Sequence, residues 1–250
     1  MQDIYIGDEG KGFPLVLVHG YLGSSKMWEP QIDFFKDYFR VITPDLPGYG
    51  KSNKAKSHNS IQSIANLLLD CLEEKKIDKF HLLGHSMGGM IVQEMAKKNG
   101  DKISKLVCYS TGPRGEMPGR FETIDQSREN LKEKGLEITA KNIAKTWFIK
   151  GEDAKYFDIC IDAGKQTSVA AAENSLVAIK NWNGVDTLKN IKSKTLIVWG
   201  DLDKSYNFEQ VKTLENNIEN SKLIIFKNCA HNVHLEQPDQ FNKTIKDFLF

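Results

Sequence analysis

Short apolar runs and segments of helical periodicity alternate along most of this chain. The apolar runs cover residues 15–18, 40–43, 80–83, 103–110, 195–199 and 223–226. Apolar residues recur every three or four positions over residues 27–38, 61–76 and 87–100, and again from Pro238 onwards. Fully apolar runs are typical of strands buried on both faces, and helices between them are typical of parallel connections. The pattern predicts an α/β fold with a mainly parallel sheet flanked by helices.

One long stretch breaks this alternation. Between residues 113 and 184 we find no strand pattern, whereas helical periodicity returns over 122–134, 139–149, 153–164 and 168–182. The stretch follows the end of a predicted strand, which is the side where open α/β sheets bind ligands. We therefore expect a core formed by residues 1–112 and 185–250, with an inserted helical cap formed by residues 113–184.

The run at 80–83 ends in a Gly-x-Ser-x-Gly pentapeptide, residues 84–88, and a helical pattern starts at once. The order is strand, sharp turn, helix, which pushes the hydroxyl of Ser86 out of the sheet at a helix N-terminus. Gly84 and Gly88 remove the side chains that would collide in such a turn. Ser86 is therefore the candidate nucleophile, and the backbone N–H of Met87, next in the chain, is a candidate oxyanion donor.

Acid and base candidates follow two later strands. Asp201 and Asp203 come after the strand at 195–199, and His231 comes after the strand at 223–226. The chain order Ser, Asp, His is that of hydrolases with a nucleophile elbow. The residues alone leave open which of the two aspartates is the acid. The loop after the first strand offers the backbone N–H of Tyr21 as a second oxyanion donor.

Five motifs together resemble the α/β-hydrolase superfamily, in its capped, esterase-like branch. They are His19-Gly20, residues 45–52 (DLPGYGKS), residues 84–89 (GHSMGG), residues 200–203 (GDLD), and Ala230-His231 followed by residues 234–238 (HLEQP). The resemblance covers nearly the whole chain and implies the α/β-hydrolase fold. It also implies that Asp203 is the acid and that His231, not His234, is the base. Haloalkane dehalogenases and epoxide hydrolases of this fold carry Asp at the elbow, so Ser86 argues against both.

The expected reaction is hydrolysis of a small carboxylic ester or lactone through an acyl-enzyme formed on Ser86. One alternative is a C–C bond or enol-lactone hydrolase whose substrate carries a carboxylate, for which Arg114 and Arg120 are the candidate partners. Another is a small-ligand receptor of the same fold with little turnover. Trp147 and Trp182 are candidate lining residues of a cavity under the cap.

Composition bears on the partners, cofactors and location to be expected for this protein. The 250 residues carry a formal net charge of +1 with no basic stripe, so no nucleic-acid partner is expected. No run is long enough to span a membrane, and the N-terminus has no signal-peptide pattern. The four cysteines are far apart and no pair of them has metal-ligand spacing. His231 and His234 could suggest a metal pair, but the chain lacks a His-Glu-x-x-His helix or an acid–His cluster. We therefore expect a cytoplasmic protein without metal or cofactor. The sequence does not predict an oligomeric state.

Overall fold

A seven-stranded sheet forms the centre of the computed structural model, which describes residues 4–250. The strands are β1 (Ile6–Glu9), β2 (Pro14–Val18), β3 (Arg40–Pro44), β4 (Phe80–His85), β5 (Ile103–Tyr109), β6 (Lys194–Gly200) and β7 (Ser221–Phe226). Their order is β1-β3-β2-β4-β5-β6-β7, with β1 antiparallel to β3 and every other pair parallel. The predicted mainly parallel sheet is confirmed. Residues 1–3, on which the signal-peptide expectation partly rests, lie outside the described residues.

Nine α-helices flank the sheet within the described part of the chain. They are α1 (Glu29–Phe35), α2 (Ile61–Glu74), α3 (Met87–Lys98), α4 (Ile124–Lys145), α5 (Phe157–Lys165), α6 (Val169–Asn181), α7 (Phe208–Asn217), α8 (Val233–Glu236) and α9 (Pro238–Leu249). Two hydrophobic cores result, one on each face of the sheet. In β2, Leu15 and Leu17 face one core while Val16 and Val18 face the other. This two-sided burial is why the run at 15–18 contains no polar residue.

The structure corrects the predicted elements at three places. Helix α7 and the edge strand β1 were not predicted from the apolar pattern. The two predicted helices at 122–134 and 139–149 are both present within α4, on either side of Gly135, whose non-helical φ of 77° and ψ of 170° separates them. The second of them ends at Lys145, four residues earlier than predicted.

Residues 113–184, which we call the helical segment, pack over the ends of several parallel strands. The Ser168 N–H donates to the Gly48 carbonyl at 2.8 Å, in the loop after β3. The Tyr49 hydroxyl contacts the Ser175 hydroxyl at 2.7 Å. The Asn232 N–H, after β7, donates to the Trp147 carbonyl at 3.0 Å. The segment therefore covers the carboxyl edge of the sheet.

Two further observations concern the predictions about membrane spans and cysteines. No helix among residues 4–250 is long and apolar enough to cross a membrane. Cys71, Cys108, Cys160 and Cys229 are buried as thiols.

Candidate active site

Ser86 lies on a sharp turn between β4 and α3. Its backbone has φ 56° and ψ −118°, a combination that L-residues rarely adopt. The Ser86 N–H donates to the Tyr109 carbonyl at 2.9 Å, and the Ser86 carbonyl accepts from the Thr111 hydroxyl at 2.8 Å. A Cβ on Gly88 would lie 2.3 Å from the Val18 carbonyl oxygen, so α3 starts against β2 only because residue 88 is glycine. The neighbouring elements thus hold Ser86 in its unusual conformation.

His231 and Asp203 meet above β6 and β7. The distance from His231 Nδ1 to Asp203 Oδ2 is 2.9 Å, and the two side chains are 2% and 0% exposed. The other carboxylate oxygen of Asp203 accepts the N–H groups of Ser205 at 2.7 Å and Tyr206 at 3.3 Å. Asp203 is therefore fixed as an acceptor toward His231. This geometry places a proton on Nδ1 and leaves Nε2 able to accept one.

Asp201 and His234, the alternative acid and base, contact groups other than Ser86 or each other. Asp201 faces the Cys229 N–H at 3.5 Å and the Lys227 ammonium at 3.5 Å. His234 is buried, with Nδ1 2.9 Å from the Tyr109 hydroxyl. Burial lowers the pKa of His234 to about 3, so this ring is neutral at ordinary pH. Neither residue lines the cavity at Ser86.

The loop after β2 comes directly against the elbow. A Cβ on Gly20 would lie 2.9 Å from Ser86 Cβ, so the backbone that carries Tyr21 could not approach this closely with any larger residue at position 20. His19 holds the loop, since its Nδ1 lies 2.8 Å from the Gly20 carbonyl and its Nε2 accepts the Leu46 N–H at 3.0 Å. On the other side, Met87 is the first residue of α3, and its N–H has no acceptor within the helix. Tyr21 and Met87, the two predicted oxyanion donors, thus both lie beside Ser86.

Tyr206 is a member of the site that the sequence analysis missed. Its ring stacks on His231 with centroids 5.8 Å apart and an interplanar angle of 14°. Burial raises the pKa of Tyr206, and hydrogen bonding with the Ser86 side chain opposes that rise. No motif identifies this residue. Only its position three residues after Asp203, in the turn that the Asp203 carboxylate organises, could have drawn attention to it.

Ser86 and His231 line one narrow cavity of about 30 Å³ under the helical segment, and Ser86 is partly exposed in it. The other lining residues are Tyr21, Met117, Arg120, Ile124, Ile143, Trp147, Ile179, Ser205 and Tyr206. A volume of this size holds about one water molecule, whereas small-molecule sites span about 300–1,000 Å³. The cavity in this conformation is therefore smaller than an ester substrate needs.

Of the four candidate substrate contacts, the structure brings two to this cavity. Arg120 and Trp147 line it. Arg114 is exposed, and its backbone pairs with Asn183. The Trp182 indole donates to Glu94 Oε1 at 2.9 Å in the interface with α3. Trp182 thus anchors the end of the helical segment, and Arg114 and Trp182 are not lining residues of this cavity.

A larger surface groove, of about 870 Å³, lies far from this chemistry. It includes Lys194, Thr195 and Ser221, at the amino ends of β6 and β7. Serine, aspartate and histidine converge at the opposite edge of the sheet, so the smaller cavity is the candidate active site. Within residues 4–250, no group of three His, Cys, Asp or Glu side chains is placed to hold a metal ion.

Comparisons with known proteins agree on one fold. The family model described as alpha/beta hydrolase fold matches residues 14–238. The pimeloyl-[acyl-carrier protein] methyl ester esterase of Legionella pneumophila (strain Corby) is 28% identical, over 99% of this chain and 100% of its own length. The (E)-2-((N-methylformamido)methylene)succinate hydrolase of Acinetobacter baylyi is 25% identical, over 97% of this chain and 92% of its own. A solved esterase from Exiguobacterium antarcticum has a TM-score of 0.92 at 25% identity, covering 99% of this chain and 95% of that chain.

Proposed function

Because the chain belongs to the alpha/beta hydrolase fold family, we propose that it is a serine hydrolase that cleaves a small carboxylic ester or lactone. The observation that carries the proposal is the convergence of three groups. Asp203 binds His231 Nδ1 at 2.9 Å, and His231 and Ser86 line the same cavity. The esterase names of two of the similar proteins support this class of substrate.

The reaction would proceed in two steps. Ser86 Oγ attacks the ester carbonyl carbon while His231 Nε2 takes the hydroxyl proton, and the N–H groups of Tyr21 and Met87 stabilise the resulting oxyanion. The C–O bond to the alcohol then breaks, and the alcohol leaves with the proton from His231. Water, activated by the same imidazole, hydrolyses the acyl-Ser86 ester and frees the acid. Asp203 stabilises the imidazolium that forms in each step.

The helical segment would act as a cap in this proposal. It closes the cavity through Trp147, Ile143 and Ile179, and exclusion of water strengthens the hydrogen bonds to the oxyanion. It binds the core at two separate places. Trp182 binds Glu94 at one end, and the Ile149 N–H donates to Glu236 Oε1 at 2.7 Å near the middle. The Glu236 carboxylate also accepts the Ala230 N–H at 2.6 Å, which couples the cap to the loop that carries His231.

Covalent labelling tests the proposal. A fluorophosphonate should add one label to the peptide that contains Ser86, and Ser86→Ala should hydrolyse p-nitrophenyl acetate at the background rate. Replacing Ser110, a buried serine in the next strand-end loop, with alanine is the matched control and should leave labelling intact. A label on another residue, or a Ser86→Ala protein that keeps most of its activity, would overturn the mechanism. A single turnover followed by arrest would favour a receptor over an enzyme.

A further inference from the structure

A second hollow adjoins the Ser86 cavity. It has a volume of about 310 Å³ and is open at the surface of the helical segment. Met117, Arg120 and Ile124 line both hollows, so these three side chains form the wall between them. If this wall moves, the two spaces join into one site large enough for a small ester.

Arg120, in that wall, is half-buried, and the only carboxylate charge among the described residues that acts on it comes from Glu122, with which it forms no ion pair. Its Nη1 donates to the Glu122 carbonyl at 2.6 Å and to the Ser127 hydroxyl at 3.0 Å. Among residues 4–250, no carboxylate forms an ion pair with Arg120, and its Nε and Nη2 make no hydrogen bond. Arg40 and Arg128, by contrast, each bind a carboxylate at 2.6 Å.

The surroundings stabilise the Arg120 cation without neutralising it. The guanidinium carbon lies 4.1 Å from the centroid of the Phe121 ring, which gives a cation–π contact. Burial lowers the pKa of Arg120 from its ordinary value, but guanidinium remains charged in proteins. Two or more N–H donors are therefore left for an acceptor that the chain itself does not supply.

A second unsatisfied donor belongs to Tyr21, which also lines the cavity at Ser86. Tyr21 is 7% exposed, and its hydroxyl has no hydrogen-bond partner among the described residues. Tyr21 lies close enough to Arg120 for the guanidinium charge to act on the phenol. A buried polar group without a partner costs free energy, which a ligand oxygen at this point would recover.

We propose that Arg120 and the Tyr21 hydroxyl bind a carboxylate of the substrate, which would therefore be the half-ester of a dicarboxylic acid or a lactone that bears a free acid. The planar guanidinium fork fits a carboxylate through two parallel hydrogen bonds. Glu116, Glu122 and the Lys180–Asp125 ion pair line the outer hollow, and the excess negative charge there opposes a doubly charged phosphate more than a singly charged carboxylate. The assignment rests on the proposed function, since it places the substrate at Ser86.

Matched ester pairs test the proposal. Monomethyl succinate, glutarate and adipate are compared with methyl butyrate, pentanoate and hexanoate, and methanol release gives kcat/KM for each ester. The native protein should prefer the acid ester at one or more chain lengths. Arg120→Gln retains donors for Glu122 and Ser127 but removes the charge, and the acid-to-neutral ratio of kcat/KM should fall at least about tenfold. Arg114→Gln, at an exposed arginine outside the cavity, is the control and should leave the ratio unchanged.

Binding without turnover gives an independent measurement. Glutarate and adipate should raise the Tm of Ser86→Ala protein, and adding Arg120→Gln should abolish that shift. Should Arg120→Gln fail to unfold cooperatively, Tyr21→Phe replaces it and should lower both the ratio and the shift. A ratio at or below one at all lengths with no Tm shift, or a preference that both variants retain, overturns the carboxylate site. Fluorophosphonate labelling of Ser86 separates the two failures: an unlabelled serine refutes the hydrolase, whereas a labelled serine with an unchanged ratio refutes only the role of Arg120.

Discussion

The substitution Asp203→Asn should place the proton of His231 on the wrong nitrogen. One oxygen of the Asp203 carboxylate accepts two backbone N–H groups, from Ser205 and Tyr206. An asparagine must keep its carbonyl oxygen at that place, so its NH₂ group faces His231 Nδ1, 2.9 Å away in the native geometry. Nδ1 then becomes the acceptor and Nε2 carries the proton. An imidazole in that form cannot take the proton of Ser86.

The expected loss is large in rate and small in stability. The same tautomer error in another serine triad lowers kcat by about 10⁴, which corresponds to about 5 kcal/mol of transition-state stabilisation. Folding should change little, because the turn keeps both backbone hydrogen bonds. Asp201→Asn is the matched control. Asp201 has only weak contacts, to Cys229 and Lys227 at 3.5 Å each, and the variant should keep activity within a few-fold.

The assay is steady-state hydrolysis of p-nitrophenyl acetate by both variants, with the free energy of unfolding measured in urea. Imidazole ¹⁵N chemical shifts report the tautomer of His231 directly. Our reasoning is wrong if Asp203→Asn retains a tenth of the native kcat, or if its His231 keeps the proton on Nδ1. If the two variants exchange behaviour, Asp201 is the acid.

Three further predictions follow from the packing around the site. The pKa of His234, about 3 in the folded protein, lies below that of about 6.5 in an unfolded chain, so the unfolded state takes up a proton first as pH falls. His234 should therefore lower the free energy of unfolding by about 2 kcal/mol between pH 7 and pH 5. In His234→Gln, urea unfolding should show a loss of stability over this pH range that is smaller by that amount. A pH dependence equal to that of the native protein would contradict the low pKa of His234. Glu236→Gln replaces one acceptor oxygen by an NH₂ group, so one of the N–H groups of Ile149 and Ala230 loses its acceptor. The variant should lower the free energy of unfolding by about 0.5–1.5 kcal/mol; a variant as stable as the native protein would show that the carboxylate does not bridge cap and core. Gly20→Ala puts a methyl group 2.9 Å from Ser86 Cβ and should lower kcat/KM at least about tenfold, and activity within twofold of the native protein would rule out this close approach.

The sequence predicted best those elements whose burial is continuous. The strand and helix on either side of Ser86 appear where the pattern placed them, because apolar residues on both faces leave no other register. Strand β1 was not predicted, because its residues, Ile6–Glu9, are partly or fully exposed at the sheet edge and form no apolar run. Helix α7 shows only Val211 and Leu214 as buried apolar residues. Its capping box, Asn207 with Gln210, was the signal that could have revealed it.

Contacts between distant parts of the chain were less predictable. Arg114 and Arg120 look alike in the sequence, and both stand at the entry to the helical segment. The turn around residues 117–121 leaves one exposed and directs the other toward Ser86. Trp182 finds its partner in Glu94, 88 residues earlier. Local periodicity carries no information about such pairs, which depend on how the helices dock.

The backbone conformation at Ser86 lowers the stability of the fold, while the proposed reaction requires a serine in that conformation. A conformation with φ 56° and ψ −118° costs a serine about 1–3 kcal/mol, whereas glycine adopts it with little strain. A lineage that no longer used the hydroxyl would gain stability from glycine at this position, and selection for stability would favour that exchange. Under the proposed mechanism, selection for the reaction keeps serine there. Among descendants of this sequence, the residue at position 86 would therefore record whether the chemistry is still in use, even where the rest of the fold is unchanged.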